Sequence, residues 1–135
     1  MGTRADFYVG IREPRWIGSL YKDGFPWHIP YEILIQRNAT TYEEEVIDFL
    51  LKNKGIIPSI GDSWPWPWED SQLTDYSYIF ANQSGIVYAY SMTEKIIFNP
   101  LKIVQGDDLN QARVIIPIKF PQMGVGYGPN AAKAI

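Results

Sequence analysis

The Trp-Pro segment, residues Trp64–Asp70, limits what this chain can fold into more than any other part of its sequence. Its letters are WPWPWED, so three of the five tryptophans stand at alternate positions with prolines between them. Proline has no donor N–H and fixes φ near roughly −65°, which neither a helix nor an interior strand accommodates twice in succession. The segment is therefore predicted to be a stiff, extended, polyproline-like ribbon that presents large aromatic faces.

The spacing of the three indoles bears on what the ribbon is for. Alternate positions of a polyproline helix are rotated by about 120°, so Trp64, Trp66 and Trp68 cannot all face the same side. At least one ring is expected to face away from the domain unless another segment or chain covers it. Tryptophan and tyrosine are enriched at interaction hot spots. The ribbon is interpreted either as a binding surface or as a clamp on the hydrophobic core, and the sequence leaves both open.

Length, charge and residue usage exclude several classes of protein. A chain of 135 residues can bury a core as one domain. The absence of cysteine rules out disulfides and thiolate chemistry. No apolar run approaches the ~20 residues that span a bilayer, and the N-terminus lacks the apolar core of a signal peptide. A cytoplasmic protein without membrane contact is expected. The net charge of −3 argues against nucleic-acid binding.

Helix signals are strongest over Thr40–Asn53. Thr41 with Glu44, or Thr40 with Glu43, matches a capping box, and the apolar side chains that follow form one stripe. The run 31–37 is compatible with a strand or a helix, because length does not decide between them. One main helix is therefore predicted.

Alternating apolar residues and turn signals predict the strands. Together with the helix, they indicate one α+β domain over residues 1–123, in which an antiparallel sheet of about five strands carries the helix on one face. The glycine-rich residues 124–135 are predicted to be a flexible tail. The expected strands are Ala5–Ile11 and Trp16–Tyr21 as a hairpin, Tyr76–Ala81 and Ile86–Met92 around the turn at 82–85, Lys95–Phe98, and Ala112–Phe120 at a sheet edge.

Candidate catalytic and metal-binding side chains are few. His28 is the only histidine, and without a second histidine or a cysteine no metal site is predicted. The glycines at 124, 126 and 128 lack the Lys-Ser/Thr that completes a phosphate loop, so no nucleotide cofactor is predicted. Glu69 and Asp70 are neighbours in an extended chain and point to opposite sides, so they do not form a facing carboxylate pair. No residue is assigned a catalytic role.

The N-terminal sequence MGTRADFYVG resembles that of a family of small bacterial and phage proteins. In that family a Trp-x-Gly-Ser segment and an Asp-Gly turn follow, which are similar to residues 16–19 and 23–24 here. A WPWPWEDS segment leading to Thr-Asp-Tyr corresponds to residues 64–71 and 74–76, and a Phe-Asp-Pro to residues 98–100 with Asn in place of Asp. The resemblance covers about the first hundred residues. It implies a phage or mobile-element origin and an intracellular setting, and it brings no activity.

The leading interpretation is a non-enzymatic interaction domain that binds a protein segment or a small molecule. Its binding residues are predicted to be Trp64, Trp66, Trp68, Trp27, His28 and Tyr76. The first alternative is a small hydrolase of carbohydrates or nucleotides that uses Asp6, Asp23, His28 and Glu69, which requires at least two of these to share a pocket. The second is an oligomeric structural component, for which a homodimer stays open.

Overall fold

The computed structural model describes residues 2–12 and 14–115. Within them lie five strands, which are β1 (Ala5–Val9), β2 (Arg15–Leu20), β3 (Tyr76–Ala81), β4 (Ile86–Ser91) and β5 (Ile96–Phe98). They form one sheet in the order β2-β1-β3-β4-β5. The predicted hairpins β1–β2 and β3–β4 are confirmed.

One strand pairing differs from the predicted antiparallel sheet. β1 and β3 run parallel, with Ala5 opposite Tyr76 and Val9 opposite Phe80, whereas the other pairings are antiparallel. Parallel neighbours need a long crossover rather than a tight turn, and the stretch between β2 and β3 supplies it. The α+β class is confirmed, with a mixed sheet.

The main helix is α2 (Ala39–Lys52), which confirms the helix predicted from its apolar stripe. Its predicted capping residues are wrong, because Thr40 and Thr41 already lie inside the helix. The N-cap is Asn38, whose side-chain oxygen accepts from the backbone N–H groups of Thr40 and Thr41 at 2.9 and 3.2 Å. Shorter helices are α1 (Tyr31–Leu34), α3 (Pro100–Val104) and α4 (Leu109–Ala112).

The helix-side face of the sheet carries the larger core. Phe7, Tyr78 and Phe80 point to this face and pack with Val46 and Leu50 of α2. The ring of Phe7 stacks on that of Tyr78 with centroids 5.3 Å apart. Residues two apart on a strand share a face, so the same alternation sends Asp6 and Tyr8 to the opposite side of the sheet.

The opposite face holds a smaller cluster around Tyr8, Ile79 and Tyr90. Part of this face is covered by the Trp-Pro segment and by the turn Ser71–Leu73, which contact Asp6 and Tyr8. The sheet therefore lies between α2 on one side and an irregular, aromatic segment on the other. This arrangement positions the site residues described below.

The C-terminal part of the described chain differs from the prediction of a strand over Ala112–Phe120. α4 extends to Ala112, and Arg113 then forms an isolated bridge to Phe98 of β5. Residues 116–120 and the predicted tail 124–135 lie outside the described residues. Among residues 2–12 and 14–115, no helix combines the length and the apolar character needed to cross a membrane.

Candidate functional site

The Asp6 side chain is the buried anchor of the Trp-Pro segment. Its carboxylate accepts hydrogen bonds from Ser19 Oγ at 2.5 Å, from Ser71 Oγ at 2.7 Å and from Trp66 Nε1 at 2.7 Å. Asp6 has no exposed surface. Burial raises its pKa, and the hydrogen bonds from Ser19, Ser71 and Trp66 oppose that rise. Asp6 is therefore closed to substrate, and it joins β1, β2 and the Trp-Pro segment.

The Trp-Pro segment bends instead of forming the extended, polyproline-like ribbon predicted from its prolines. The rings of Trp66 and Trp68 stack at 5.5 Å with planes 15° apart. Trp64 Nε1 donates to the carbonyl of Trp68 at 2.6 Å, and Trp68 Nε1 donates to Thr74 Oγ1 at 3.0 Å. All three indole N–H groups of the segment are thus used within the protein, because the segment curves over the buried polar groups of the sheet.

Side chains of other segments cover the three indoles further. Trp16 meets Trp64 edge to face at 5.1 Å, and Tyr21 meets Trp66 in the same way at 5.5 Å. The guanidinium of Arg4 lies 5.1 Å from the ring centre of Trp68. Trp66 is 9% exposed, while Trp64 and Trp68 are half-buried. The segment is mainly a structural cover with two partly accessible edges.

Trp27 has the opposite environment. It lies in the turn Pro26–His28, its ring stacks on Phe25 at 4.7 Å with planes 12° apart, and 58% of the residue is exposed. All five tryptophans fall within the described residues, and among them Trp27 alone is exposed, whereas the other four are buried or half-buried. One face of this indole is therefore held in place by Phe25 while the residue stays open to solvent.

Phe25 also brings the other predicted site residues together. Its ring lies 5.9 Å from that of His28 and 6.1 Å from that of Tyr76. Burial raises the pKa of Tyr76, with smaller contributions from Asp75 and Glu94. Trp27, His28 and Tyr76 are thus neighbours, as a shared binding surface requires. Phe25 was not selected as a site residue from the sequence, although the Phe-Pro-Trp run at residues 25–27 is a local signal for such an aromatic cluster.

A cleft of about 360 Å³ separates this turn from α2. His28 Nδ1 lies 3.8 Å from Asp23 Oδ1, which is beyond hydrogen-bond distance. Asp23 has φ +61°, a left-handed conformation that is uncommon outside glycine. The lining residues are Leu20, Lys22, Asp23, His28, Phe49 and Asn53.

The four side chains proposed for a hydrolase do not form one site. Asp23 and His28 share the cleft, but Asp6 is buried beneath Trp66, and Glu69 is exposed on the Trp-Pro segment. Among the described residues that line the cleft, none carries a hydroxyl or thiol nucleophile. The arrangement offers an imidazole beside a carboxylate, together with an aromatic platform for binding.

Comparisons of this chain with known protein families, with curated proteins and with solved structures find no match. The function is therefore argued from the geometry of the site.

Proposed function

We propose that this chain is a non-enzymatic interaction domain that recognises a segment of another protein through the Trp27 surface. This surface comprises Trp27, His28, Tyr31, the exposed edge of Tyr76 and the cleft between the Pro26–His28 turn and α2. The observation that carries the proposal is the 58% exposure of Trp27 while its ring is stacked on Phe25. A large aromatic side chain that is already ordered loses little conformational entropy on binding.

The surroundings of Trp27 support the same proposal. Tyr31 at the start of α1 is 50% exposed, and Val104 at the end of α3 is 39% exposed. The Pro26–His28 turn and α1 both pack against α3, so these apolar side chains come from adjoining elements. An aromatic anchor with apolar neighbours beside a partly polar cleft is typical of a hot-spot region.

In this proposal the tryptophans of the Trp-Pro segment support the Trp27 surface and are not the main contacts of the ligand. Their N–H groups are all bonded within the protein, so a ligand would gain only apolar contact with the exposed parts of Trp64 and Trp68. Arg4, which lies against Trp68, also forms an ion pair with Asp75 at 3.3 Å. Tyr76 follows Asp75 directly, so Arg4 and Asp75 link Trp68 through the chain to the Trp27 surface.

The test of the interaction domain compares two exposed apolar residues. A partner captured from host-cell lysate is purified, and its affinity for wild type and for variants is measured by calorimetry. Trp27→Ala is expected to weaken binding at least thirtyfold, which corresponds to about 2 kcal/mol or more at a hot spot. Leu73→Ala is the matched control, because Leu73 is 52% exposed but lies in the Ser71–Leu73 turn.

Equal affinity of wild type and Trp27→Ala for every purified partner would contradict the proposed interaction domain. Trp66→Ala is a poor test of recognition, since it removes the hydrogen bond to Asp6 and destabilises the fold. Both Trp27→Ala and Leu73→Ala remove exposed surface and are expected to leave the free energy of unfolding within about 1 kcal/mol of wild type.

A hydrolase is the second candidate, and one observation favours it: Asp23 and His28 converge in the same cleft. An imidazole beside a carboxylate can act as a general base. Release of nitrophenol from nitrophenyl glycosides and of phosphate from nucleotides, compared between wild type and His28→Ala, tests it. Equal background rates for the two proteins eliminate this candidate.

A further inference from the structure

Phe49 of α2 lies between two clefts. One is the cleft beside the Pro26–His28 turn, and the other has a volume of about 370 Å³ and lies between α1 and α2. Because both are lined by Phe49, the two clefts adjoin at this residue, and together they are here called the Phe49 groove. The second cleft is lined by Pro30, Glu32, Glu45, Asp48, Phe49 and Lys52.

The Phe49 groove combines an apolar floor with an acidic rim. Pro30 and Phe49, which are partly exposed, supply the apolar surface. Of the charged residues that line the two clefts, the acidic ones are Asp23, Glu32, Glu45 and Asp48 and the basic ones are Lys22 and Lys52, an excess of two negative charges (4 − 2) with His28 neutral.

One of the two lysines is already engaged. Lys52 Nζ lies 2.9 Å from Asp48 Oδ2, and Glu45 also favours the charged form of Lys52. The C-terminal end of α2 adds partial negative charge from its last carbonyl groups. The groove therefore presents a negative field to any segment that enters it.

We infer that the Phe49 groove binds a basic segment of the partner protein, in which two Lys or Arg residues flank one apolar residue. This inference rests on the proposed interaction domain and names the chemistry of its partner. The apolar residue packs on Phe49, one cation faces Glu32 and Glu45, and the other faces Asp23. Each cation gains from the opposite charge of the carboxylate that it faces.

Charge complementarity favours a basic segment as the occupant of the Phe49 groove. An acidic segment would bring its carboxylates against those of Asp23, Glu32 and Glu45, and like charges brought together disfavour binding. A neutral apolar segment would cover the carboxylates without pairing them, which costs desolvation energy. A basic segment pairs them and leaves its apolar residue for the floor.

The experiment uses two defined peptides and ¹⁵N-labelled full-length protein. The probes are acetyl-Arg-Leu-Arg-amide and acetyl-Glu-Leu-Glu-amide, titrated while amide chemical shifts are recorded. The arginine peptide is expected to shift the amides of His28, Phe49 and Asn53 and to bind at least tenfold more tightly than the glutamate peptide. Affinity should fall as salt is added, because the contacts lie at the surface.

Two double variants with the same net charge distinguish contacts in the Phe49 groove from a general effect of the protein's charge. Glu32→Gln with Glu45→Gln removes two rim carboxylates and is expected to weaken the arginine peptide roughly three- to tenfold, as for two exposed charge contacts. Glu44→Gln with Glu69→Gln removes two exposed carboxylates that do not line the groove. This control is expected to change the affinity less than twofold.

The inference is overturned if the two peptides bind equally or if both double variants weaken binding by the same factor. Either result is compatible with the proposed interaction domain, provided that Trp27→Ala still weakens binding to the purified partner. If Trp27→Ala has no effect on that partner while the arginine peptide discriminates between the double variants, the groove is a basic-segment site and the Trp27 surface is not its recognition platform.

Discussion

Trp66 Nε1 donates a 2.7 Å hydrogen bond to Oδ1 of Asp6, a residue sixty positions earlier in the chain. The same carboxylate also accepts from Ser19 and Ser71. A buried carboxylate without such donors would be very costly. These three donors therefore explain both why Asp6 is tolerated inside the protein and why the Trp-Pro segment bends toward the sheet.

Replacement of Asp6 by Asn and by Ala should have very different effects on stability. Asparagine keeps a side-chain oxygen for Ser19 and Trp66 and can donate to Ser71, so Asp6→Asn is expected to stay within about 1 kcal/mol of wild type at pH 7. Asp6→Ala leaves buried donors unpaired and should lower the free energy of unfolding by about 3 kcal/mol or more. Urea unfolding followed by tryptophan fluorescence measures both. Equal stability of the two variants would show that the carboxylate is not the anchor.

The Asp6 carboxylate should also make stability depend on pH. Its pKa in the folded protein is raised above the ordinary value of 3.8, chiefly by burial. The folded state then binds the proton more tightly than the unfolded state, so protonation of Asp6 stabilises the fold. The destabilising contribution is fully present above the raised pKa and is lost as pH falls through it.

The measurement is the difference in the free energy of unfolding between wild type and Asp6→Asn, taken at a series of pH values from 7 down to about 4, near the ordinary pKa of an Asp carboxyl. Taking the difference cancels the contributions of the other titrating groups, including those whose effect on stability has the opposite pH dependence. Glu43 is one of these, because its pKa is lowered by its hydrogen bond with Arg15. As the pH falls, the free energy of unfolding of wild type should rise relative to that of Asp6→Asn. A difference that is constant with pH, or that moves in favour of the variant, contradicts the burial of an ionised Asp6.

Local signals were sufficient for much of this fold. The apolar stripe of α2 and the Asn-Gln-Ser-Gly turn between β3 and β4 are each encoded within a few residues, and both elements were predicted close to their observed bounds. The parallel pairing of β1 with β3 was not predicted, because it joins strands about seventy residues apart and no turn specifies it. The Asn38 cap was missed because two threonines beside it also match a capping pattern.

The candidate site was predictable only in part. Trp27 and His28 were selected from the sequence, and the loop composition that drew attention to them is local. The bend of the Trp-Pro segment was not predictable, because it depends on Asp6, and nothing within the segment indicates a buried acceptor beneath it. An acidic residue between Ala5 and Phe7 of a strand was the available signal, since alternation places it on the face opposite the main core.

Two buried tyrosines should respond oppositely to loss of their hydroxyl groups. Tyr42 is fully buried, and its hydroxyl has no hydrogen-bond partner among residues 2–12 and 14–115, so Tyr42→Phe is expected to raise the free energy of unfolding by about 1 kcal/mol. The Tyr78 hydroxyl donates to the carbonyl of Gly24 at 2.6 Å, so Tyr78→Phe should lower it by about 1–2 kcal/mol. Each variant serves as the control for the other in urea unfolding. Loss of stability in Tyr42→Phe would imply an unseen partner for its hydroxyl.

Leu50 of α2 fits against the sheet because Gly18 of β2 has no side chain. A Cβ on Gly18 would lie 2.2 Å from Leu50 Cδ1 and 2.8 Å from the carbonyl oxygen of Ile56. Gly18→Ala is therefore expected to cost about 1–3 kcal/mol through overpacking, and Leu50→Ala about 2–5 kcal/mol through the cavity that it leaves. The double variant should cost less than the sum by at least about 1 kcal/mol, because removal of Leu50 makes room for the new methyl group.

A double-mutant cycle by urea unfolding tests this packing, with Gly61 as the control. Gly61 has φ +101°, and a Cβ at this position would meet no atom of the described part of the chain within 4 Å, so Gly61→Ala should cost about 1 kcal/mol through backbone strain alone. Its effect should be additive with that of Leu50→Ala, since the two residues share no contact surface. Additivity of Gly18→Ala with Leu50→Ala would mean that the Ile56 carbonyl, and not Leu50, is what excludes a side chain at position 18.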